Sequence, residues 1–263
     1  MPSRYTRNLK RALTLAAVLA VTPAAAETIV EANVKLIEPY GVVPVARIPE
    51  GVYLRSVDDP DDIIWERLPE YRVTLYPAPP VHDSVFLRHD PDLPPRDVIF
   101  AVARTDGRFY VRLRWRDGSD DSLRTRDRFV DSVAVQFSMG DDTTSYMMGT
   151  GPEEPVNIWY WAADSNAAQS LGAGGPGSTT LLDSQPVTAD SRYVPSDTPE
   201  AGQWVVVMSR PLSEADLNQV NFDRDELAIA FALWQGENDE RDGLKSVSDG
   251  WILVDQTSAQ VPQ

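Results

Sequence analysis

The chain has 263 residues, no cysteine, two histidines and a formal net charge of −16 at pH 7. Without cysteine it can form no disulfide, no iron–sulfur cluster and no covalently attached haem, and with only His82 and His89 a site built from several histidines is excluded. The acidic surplus argues against nucleic acid or an anionic membrane as a partner, because both carry charge of the same sign.

The first 26 residues have the pattern of a cleaved secretory signal peptide. Four basic residues open the chain, the apolar run 12–21 follows, and three alanines at 24–26 offer a cleavage point before Glu27. The run is too short to span a membrane, so the sequence predicts export to the periplasm. The alternative is that the segment stays attached as an N-terminal anchor. Cleavage would leave a single domain, 27–263, with 20 basic and 40 acidic residues and a net charge of −20.

Strand patterns dominate the rest of the chain. Apolar and polar residues alternate through 108–116, as in a half-buried strand, and a Thr-Asp-Gly turn joins it to an apolar run at 98–103. One short segment, 213–220, has a helical pattern opened by a capping serine. The sequence therefore predicts an all-β fold, an antiparallel β-sandwich with little helix. Further strands are predicted at 129–137, 156–161, 204–209, 227–234 and 251–254.

Motifs for catalysis are missing from the sequence. It has no nucleophile elbow, no phosphate-binding loop, no dinucleotide fingerprint and no zinc-protease helix. The acidic run 58–62 suggests calcium but lacks the regular spacing of an EF-hand, so a solvated surface is the favoured interpretation. Carboxylates are numerous enough for a glycosidase-like acid pair, yet no spacing singles out two of them.

Two local features could hold a soft or redox-active group. The exported domain would have only two lysines beside 18 arginines, and Lys245 stands in a Gly-Leu-Lys-Ser-Val-Ser segment. Coding bias explains most of that imbalance, but lysine can lose its proton and become a neutral donor, which arginine cannot do. Met147 and Met148 are adjacent and are followed by Gly149. They fit ordinary core residues at a strand end, although thioether sulfur is also a ligand for haem iron.

Four segments together resemble a known family. They are Asp-Ser-Val-Ala-Val-Gln-Phe at 131–137, the Met148–Gly149 step, Pro-Val-Asn-Ile-Trp-Tyr-Trp at 155–161, and Lys-Ser-Val-Ser at 245–248. They are similar to the haem-b-binding gamma subunits of exported molybdenum enzymes, a group that includes the dimethyl sulfide and ethylbenzene dehydrogenases and the selenate and chlorate reductases. The resemblance covers roughly residues 60–256.

The resemblance implies a haem site. In the family one b-type haem lies in a β-sandwich and is held by a methionine and a lysine, which correspond here to Met148 and Lys245. Met147 is the alternative to Met148, and on a strand only one of two adjacent side chains can face a given iron. With both axial positions filled, the haem would carry electrons and perform no bond chemistry.

The resemblance also implies partners and a role. The chain would be the non-catalytic subunit of a heterotrimer, relaying electrons between an iron–sulfur beta subunit, itself joined to a molybdenum-cofactor alpha subunit, and an external c-type cytochrome. A basic cytochrome suits the acidic surface. General similarity favours the dimethyl sulfide enzyme as the parent, but the substrate binds on the alpha subunit and no residue of this chain reports it.

Two other functions fit a β-sandwich of this composition. A secreted carbohydrate-binding module would use exposed aromatic rings, and the run Trp159, Tyr160 and Trp161 supplies them. A glycosidase-like enzyme would need a reactive carboxylate pair. The residues Arg112, Arg114 and Arg116 share one strand face, where a surface salt-bridge ladder is favoured over contacts with haem propionates or a partner subunit.

Overall fold

Strand formation in this chain follows the alternation of apolar and polar side chains. The structure, a computed structural model, describes residues 34–49, 52, 54–165, 167–198 and 202–260. In the strand Arg108–Arg116 every second side chain, from Phe109 to Trp115, joins the main core. The predicted signal peptide, 1–26, lies outside the described residues, and its cleavage stays a prediction.

Nearly all regular structure in the described residues is strand. The strands are β1 (Lys35–Leu36), β2 (Val42–Arg47), β3 (Tyr71–Pro77), β4 (Arg96–Arg104), β5 (Arg108–Arg116), β6 (Ser132–Ser138), β7 (Val156–Ala162), β8 (Ala167–Ala173), β9 (Thr180–Leu181), β10 (Thr188–Val194), β11 (Gln203–Pro211), β12 (Glu226–Trp234), β13 (Ser246–Ser248) and β14 (Ile252–Gln260). Helix in these residues amounts to one turn, α1 (Asp83–Phe86), and the 3-10 segments Ile63–Arg67 and Gly236–Asn238. The prediction of an all-β chain with little helix is confirmed.

The strands form two layers of one β-sandwich. The first layer runs β10-β11-β5-β4-β3, and the second runs β14-β12-β6-β7-β8-β9. The strand β2 lies between β4 and β14, and β13 lies between β3 and β12, so the two layers are joined along one side. Most pairs are antiparallel, while β1–β3, β2–β4 and β2–β14 are parallel. All seven strands that the sequence predicted belong to this sandwich.

Aromatic rings from both layers meet in the main core. Phe100 of β4 lies 4.8 Å from Phe231 of β12, measured between ring centroids. Phe109 of β5 stacks on Phe222 at 4.4 Å, and its edge packs near Trp159 of β7. These contacts bury large apolar surfaces between the layers and so stabilise the sandwich without a disulfide.

The second layer has another apolar face, turned away from this core. Side chains alternate along a strand, so Ala134 lies opposite in direction to its core-facing neighbours Val133 and Val135 in β6. Ala230 and Ala232 of β12 take the same direction as Ala134. Because these side chains are short, they leave space above the strands.

The helix predicted at 213–220 is wrong. The segment is a loop in which the Asp216 carboxylate accepts the Asn218 N–H at 2.9 Å. Val220 is buried in the main core, and its N–H donates to Asn157 Oδ1 at 3.1 Å. These long-range contacts outweigh a weak helical pattern of two turns.

Candidate functional site

A cavity of about 660 Å³ lies over the alanine-rich face of the second layer. Its walls are the segments 78–85, 146–148 and 240–248. A volume of this size is typical of cofactor sites, which span roughly 300–1,000 Å³. Across the described part of the chain no three His, Asp or Glu side chains converge as ligands for a bare metal ion. The floor consists of apolar side chains from four strands: Ala134, Ile158, Leu171, Ala230 and Ala232.

Lys245 enters this cavity from the loop that precedes β13. Its carbonyl accepts the Ala78 N–H at 2.8 Å, which ties the loop to the end of β3. Its Nζ lies 4.9 Å from the centre of the Trp234 ring. Burial lowers the pKa of Lys245 from 10.5 to about 8, and nearby Asp242 opposes that shift only in part. The neutral amine is therefore much easier to reach here than in water.

Met148 enters from the opposite wall, on a turn rather than a strand. It has a left-handed backbone with φ of +66°, and Gly149 follows with φ of +92°. A Cβ on Gly149 would stand 2.8 Å from the carbonyl of Glu154, so only glycine fits. The assumption that Met147 and Met148 occupy a strand and face opposite ways is wrong, since both line the cavity.

The two side chains meet across the cavity. The Sδ of Met148 lies 3.8 Å from the Nζ of Lys245, although the residues are 97 positions apart in the chain. Met148 also packs against the alanine-rich face, whereas Met147 makes no such contact among the packed residues of that cluster. A thioether and an amine with a lowered pKa thus point into one largely apolar space.

Comparison with known proteins identifies the family. The sequence is 52% identical over 250 residues to subunit gamma of dimethylsulfide dehydrogenase from Rhodovulum sulfidophilum, covering 94% of each chain. The chain belongs to this family of gamma subunits. Chlorate reductase subunit gamma from Ideonella dechloratans is 33% identical over 194 residues, with 73% of this chain and 77% of the relative covered. The resemblance seen in the sequence is confirmed.

Other comparisons add one relative and a distant likeness of shape. A chain described as a respiratory nitrate reductase heme subunit from Haloferax mediterranei is 34% identical over 192 residues, covering 72% of this chain and 65% of its own. No family model matches the sequence. A family 9 carbohydrate-binding module from Caldicellulosiruptor kristjanssonii, solved with glucose, aligns with a TM-score of 0.43 and 11% identity over 83% of this chain and 98% of its own. Likeness at that level says nothing about function.

Family membership gives the role of this gamma subunit. Gamma subunits of molybdoenzyme complexes transfer electrons and are not themselves catalytic, and the prediction of a non-catalytic electron-transfer subunit is confirmed. No helix among the described residues is long and apolar enough to cross a bilayer.

The aromatic run of the gamma subunit does not form a sugar platform. Trp159 and Trp161 are fully buried in the main core, so neither ring can stack on a ligand from solvent. Tyr160 points the other way, lines the cavity, and donates its O–H to Ser132 Oγ at 2.9 Å. Alternation along β7 explains this division of the three rings.

Two arginines of β5, Arg112 and Arg114, form ion pairs away from the cavity. The Glu70 carboxylate accepts hydrogen bonds from Arg112 Nη1 at 2.9 Å and from Arg114 Nη2 at 2.5 Å. Arg112 also stacks over Trp65, and burial lowers its pKa to about 10. Arg112, Arg114 and Glu70 therefore form a salt-bridge ladder, as the sequence suggested. The ladder does not lie on the surface, because the three side chains are only 14%, 7% and 20% exposed.

The acidic run 58–62 is partly buried rather than solvated. Asp58 accepts a hydrogen bond from Ser209, and Asp59 pairs with Arg55. Asp62 caps the 3-10 segment by accepting the Ile64 N–H at 2.9 Å. These carboxylates stabilise local structure and do not converge on a metal site.

A buried acid pair, Asp117 and Asp131, was not visible in the sequence. Asp131 accepts hydrogen bonds from the N–H groups of Asp121 and Gly236 and from the Trp204 indole, each at 2.9 Å. Burial raises the pKa of both carboxyl groups, and for Asp117 the charge of Asp131 adds to the rise. Both are almost fully enclosed, so they offer no access to a polysaccharide.

Further polar and aromatic residues line the cavity without any signal in the sequence. The Arg124 guanidinium binds the Asp164 carboxylate at 2.6 Å, and that of Arg241 lies 4.3 Å over the Phe129 ring. Only proximity to Lys245 along the chain could have pointed to some of them. The cavity lining includes Arg124, Trp234, Glu240 and Arg241.

Proposed function

We propose that this gamma subunit binds one b-type haem in the cavity, with Met148 and Lys245 as axial ligands. The observation that carries the proposal is the 3.8 Å contact between the Sδ of Met148 and the Nζ of Lys245 inside a cavity of about 660 Å³. The name of the Haloferax mediterranei relative, a heme subunit, supports the same cofactor. The absence of cysteine from the sequence excludes thioether attachment and so favours a b-type group.

The residues present fit this group in their chemistry. Thioether sulfur and neutral amine nitrogen are both donors to iron, and the pKa of about 8 brings the neutral form of Lys245 within reach near physiological pH. The short side chains Ala134, Ala230 and Ala232 leave a flat apolar floor for a planar ring. When bound, the haem supplies one-electron transfer. Because Met148 and Lys245 would fill both axial positions, the site would exclude substrate from the iron.

Lysine variants test the proposal most directly. The complete complex, produced with wild-type or variant gamma chain, should be red and show a low-spin b-type absorption spectrum with one haem per gamma chain. Lys245→Ala should abolish that low-spin spectrum because, among the residues that the structure describes, no other lysine lines the cavity. The matched control is Lys35→Ala, at an exposed position of β1, which should leave the spectrum as in wild type. An unchanged spectrum in Lys245→Ala would overturn the ligand assignment.

Methionine variants decide between the two adjacent thioethers. Met148 packs on the alanine-rich face and touches Lys245, so Met148→Ala should lose the low-spin spectrum. Met147→Ala should retain it, because Met147 lines the cavity but is not among the side chains packed on the alanine-rich face. The reverse outcome would assign the ligand to Met147.

The proposed partners follow from the relatives. We place the chain in a periplasmic heterotrimer with a molybdenum-cofactor alpha subunit and an iron–sulfur beta subunit, of the dimethyl sulfide dehydrogenase type, that passes electrons to a soluble c-type cytochrome. The 52% identity to the Rhodovulum sulfidophilum subunit supports this parent enzyme. Purification through a tagged gamma chain from the periplasmic fraction should bring down both subunits and an activity that reduces cytochrome with dimethyl sulfide. Activity with chlorate or nitrate alone would overturn the parent assignment.

A further inference from the structure

The loop that carries Lys245 is fixed at both of its ends. It leaves β12 after Trp234, and Gly236 near its start donates its N–H to the Asp131 carboxylate at 2.9 Å. At its far end the Lys245 carbonyl accepts the Ala78 N–H, and β13 follows at once. Between these points the chain turns through two residues with left-handed backbones, Asp239 and Asp242. The middle of the loop lies between these two attachments, and its position depends on contacts of its own.

Glu240 fixes the middle of the loop through a buried, bidentate ion pair with Arg96. Its Oε1 accepts from Arg96 Nη2 at 2.7 Å, and its Oε2 accepts from Arg96 Nη1 at 2.8 Å. The same Oε2 accepts the N–H of Gln235 at 2.9 Å. The side chains of Glu240 and Arg96 are 7% and 12% exposed, so water competes little for these bonds.

This pair links the loop to the opposite layer of the sandwich. Arg96 opens β4 in the first layer, whereas Gln235 directly follows β12 in the second. Glu240 is five positions before Lys245 and itself lines the cavity, but it is bonded to Arg96 and not to either proposed ligand. Bidentate guanidinium–carboxylate geometry fixes orientation as well as distance.

We propose that the Arg96–Glu240 pair is a positioning device that holds Lys245 against Met148. The inference rests on the proposed role of Lys245 as a haem ligand. Glu240 acts through the loop and does not touch the haem iron. Replacing the carboxylate by an amide removes one acceptor and turns an N–H₂ group toward the Arg96 donors, so the loop should lose its middle anchor while Lys245 itself remains.

The chain offers a matched control for this change. Glu70 also accepts bonds from a guanidinium fork, that of Arg114, and from Arg112, and it is partly buried. None of these three residues lines the cavity. Glu70→Gln therefore breaks a comparable ion pair in the same fold without touching the loop of Lys245.

The test compares Glu240→Gln with Glu70→Gln in the complete complex. Glu240→Gln should weaken haem retention about 10- to 100-fold, the usual effect of losing a ligand-orienting partner. The haem that remains should show a mixed spectrum with a high-spin fraction and a shifted midpoint potential. Glu70→Gln should retain the wild-type spectrum and potential even if its melting temperature falls as much as that of Glu240→Gln. Arg96→Lys keeps the positive charge but cannot form the bidentate pair. Its haem retention and spectrum should lie between those of wild type and Glu240→Gln.

The outcomes separate this inference from the ligand assignment. If Glu240→Gln keeps the wild-type spectrum, potential and haem content while Lys245→Ala loses them, the positioning role is wrong and the ligand assignment stands. If Glu240→Gln and Glu70→Gln disturb the spectrum alike, the effect is general destabilisation, and the positioning role is again wrong. If Glu240→Gln yields no folded complex, Arg96→Lys decides by the same spectral criteria.

Discussion

Lys245 differs from an arginine in the one property that its surroundings favour, the ability to release a proton. Burial moves its pKa to about 8, whereas a guanidinium stays protonated in proteins. We therefore expect Lys245→Arg to lose the low-spin spectrum as completely as Lys245→Ala, although the charge is conserved. The control, Lys35→Arg, should match wild type in haem content and absorption. A wild-type spectrum in Lys245→Arg would show that a neutral amine is not required.

The acid pair Asp117 and Asp131 should make stability depend on pH in an unusual direction. Burial raises both pKa values, so between about pH 5 and 7 the folded chain keeps protons that the unfolded chain has released. The free energy of unfolding should therefore fall as the pH rises through this range. Asp117→Asn should flatten that slope, by up to about 1.4 kcal/mol per pH unit for one proton.

Urea unfolding of the haem-free gamma chain at several pH values measures this slope. The same substitution at exposed Asp127 is the control and should leave the slope as in wild type. Asp117 is preferred to Asp131 for the test because the Ser119 N–H and the Trp115 indole donate to it at 3.3 Å, whereas Asp131 accepts three bonds at 2.9 Å. If the free energy of unfolding of Asp117→Asn falls with pH as steeply as that of wild type, the assignment of the retained proton to this pair is wrong.

Among the elements, most of the long buried strands were predictable, but β2, β3 and the edge strands were missed. The miss at β3 was not for want of a pattern, because its buried Tyr71, Val73 and Leu75 alternate with less buried side chains. The pattern at 108–116 gives the bounds of β5 as the structure has them. β8 and β10 were missed because they lie toward the ends of the sheet, and their mostly half-exposed or exposed side chains show no regular apolar alternation. Short β13 was missed because three residues hold no period, although its pairing with β12 and β3 sets the direction of the chain after Lys245.

The turn that carries Met148 shows another limit of the sequence. Its neighbours in the chain suggested a strand end, but the left-handed φ of Met148 depends on packing by residues far away, including the N–H of Gly175 on the Met148 carbonyl at 2.7 Å. The residue types at the site came from the family resemblance. Their meeting point, the alanine floor and the Arg96–Glu240 pair depend on contacts between distant segments, which a single sequence does not display.

The short side chains of β12 should be necessary for the cavity but not for the sandwich. Ala232→Leu would fill space over the floor, so we expect haem content well below one per gamma chain. The free energy of unfolding of the haem-free chain should fall by about 3 kcal/mol at most, which is the usual cost of adding side-chain volume to a packed core. Haem content by pyridine haemochrome and unfolding in urea measure the two effects. Ala215→Leu, at an exposed position, is the control, and full haem content in Ala232→Leu would contradict the location of the site.

At the scale of the whole molecule, charge and exposed apolar surface coincide at the cavity rim. Val81, Phe86 and Leu87, in and beside α1, are all exposed, and Val81 also lines the cavity. The adjoining segments 83–92 and 237–242 hold six exposed carboxylates against two exposed arginines, a surplus of four negative charges. An apolar centre with an acidic rim suits the proposed basic cytochrome, which would have to approach the edge of the proposed haem.

Electron transfer to a basic c-type cytochrome should therefore slow as salt is added. The screening length shrinks from about 30 Å at 0.01 M to about 10 Å at 0.1 M ionic strength, so steering by the rim should weaken over that range. We expect the second-order rate constant, measured by stopped-flow mixing of the reduced complex with mitochondrial-type cytochrome c, to fall about 10-fold or more. Replacing the exposed Asp83, Asp90 and Asp239 by asparagine, none of which lines the cavity, should lower the rate at low salt and bring it level with wild type at high salt.

The position of the charges, and not only their number, decides this last prediction. Asparagine at Asp183, Asp223 and Asp225 removes the same charge from segments that do not line the cavity, so that variant should keep most of the wild-type rate and salt dependence. If both triple variants slow the reaction equally, the net charge of the −16 chain attracts the cytochrome without a preferred face. If the rate does not depend on salt in wild type, the acidic surface has no part in the encounter.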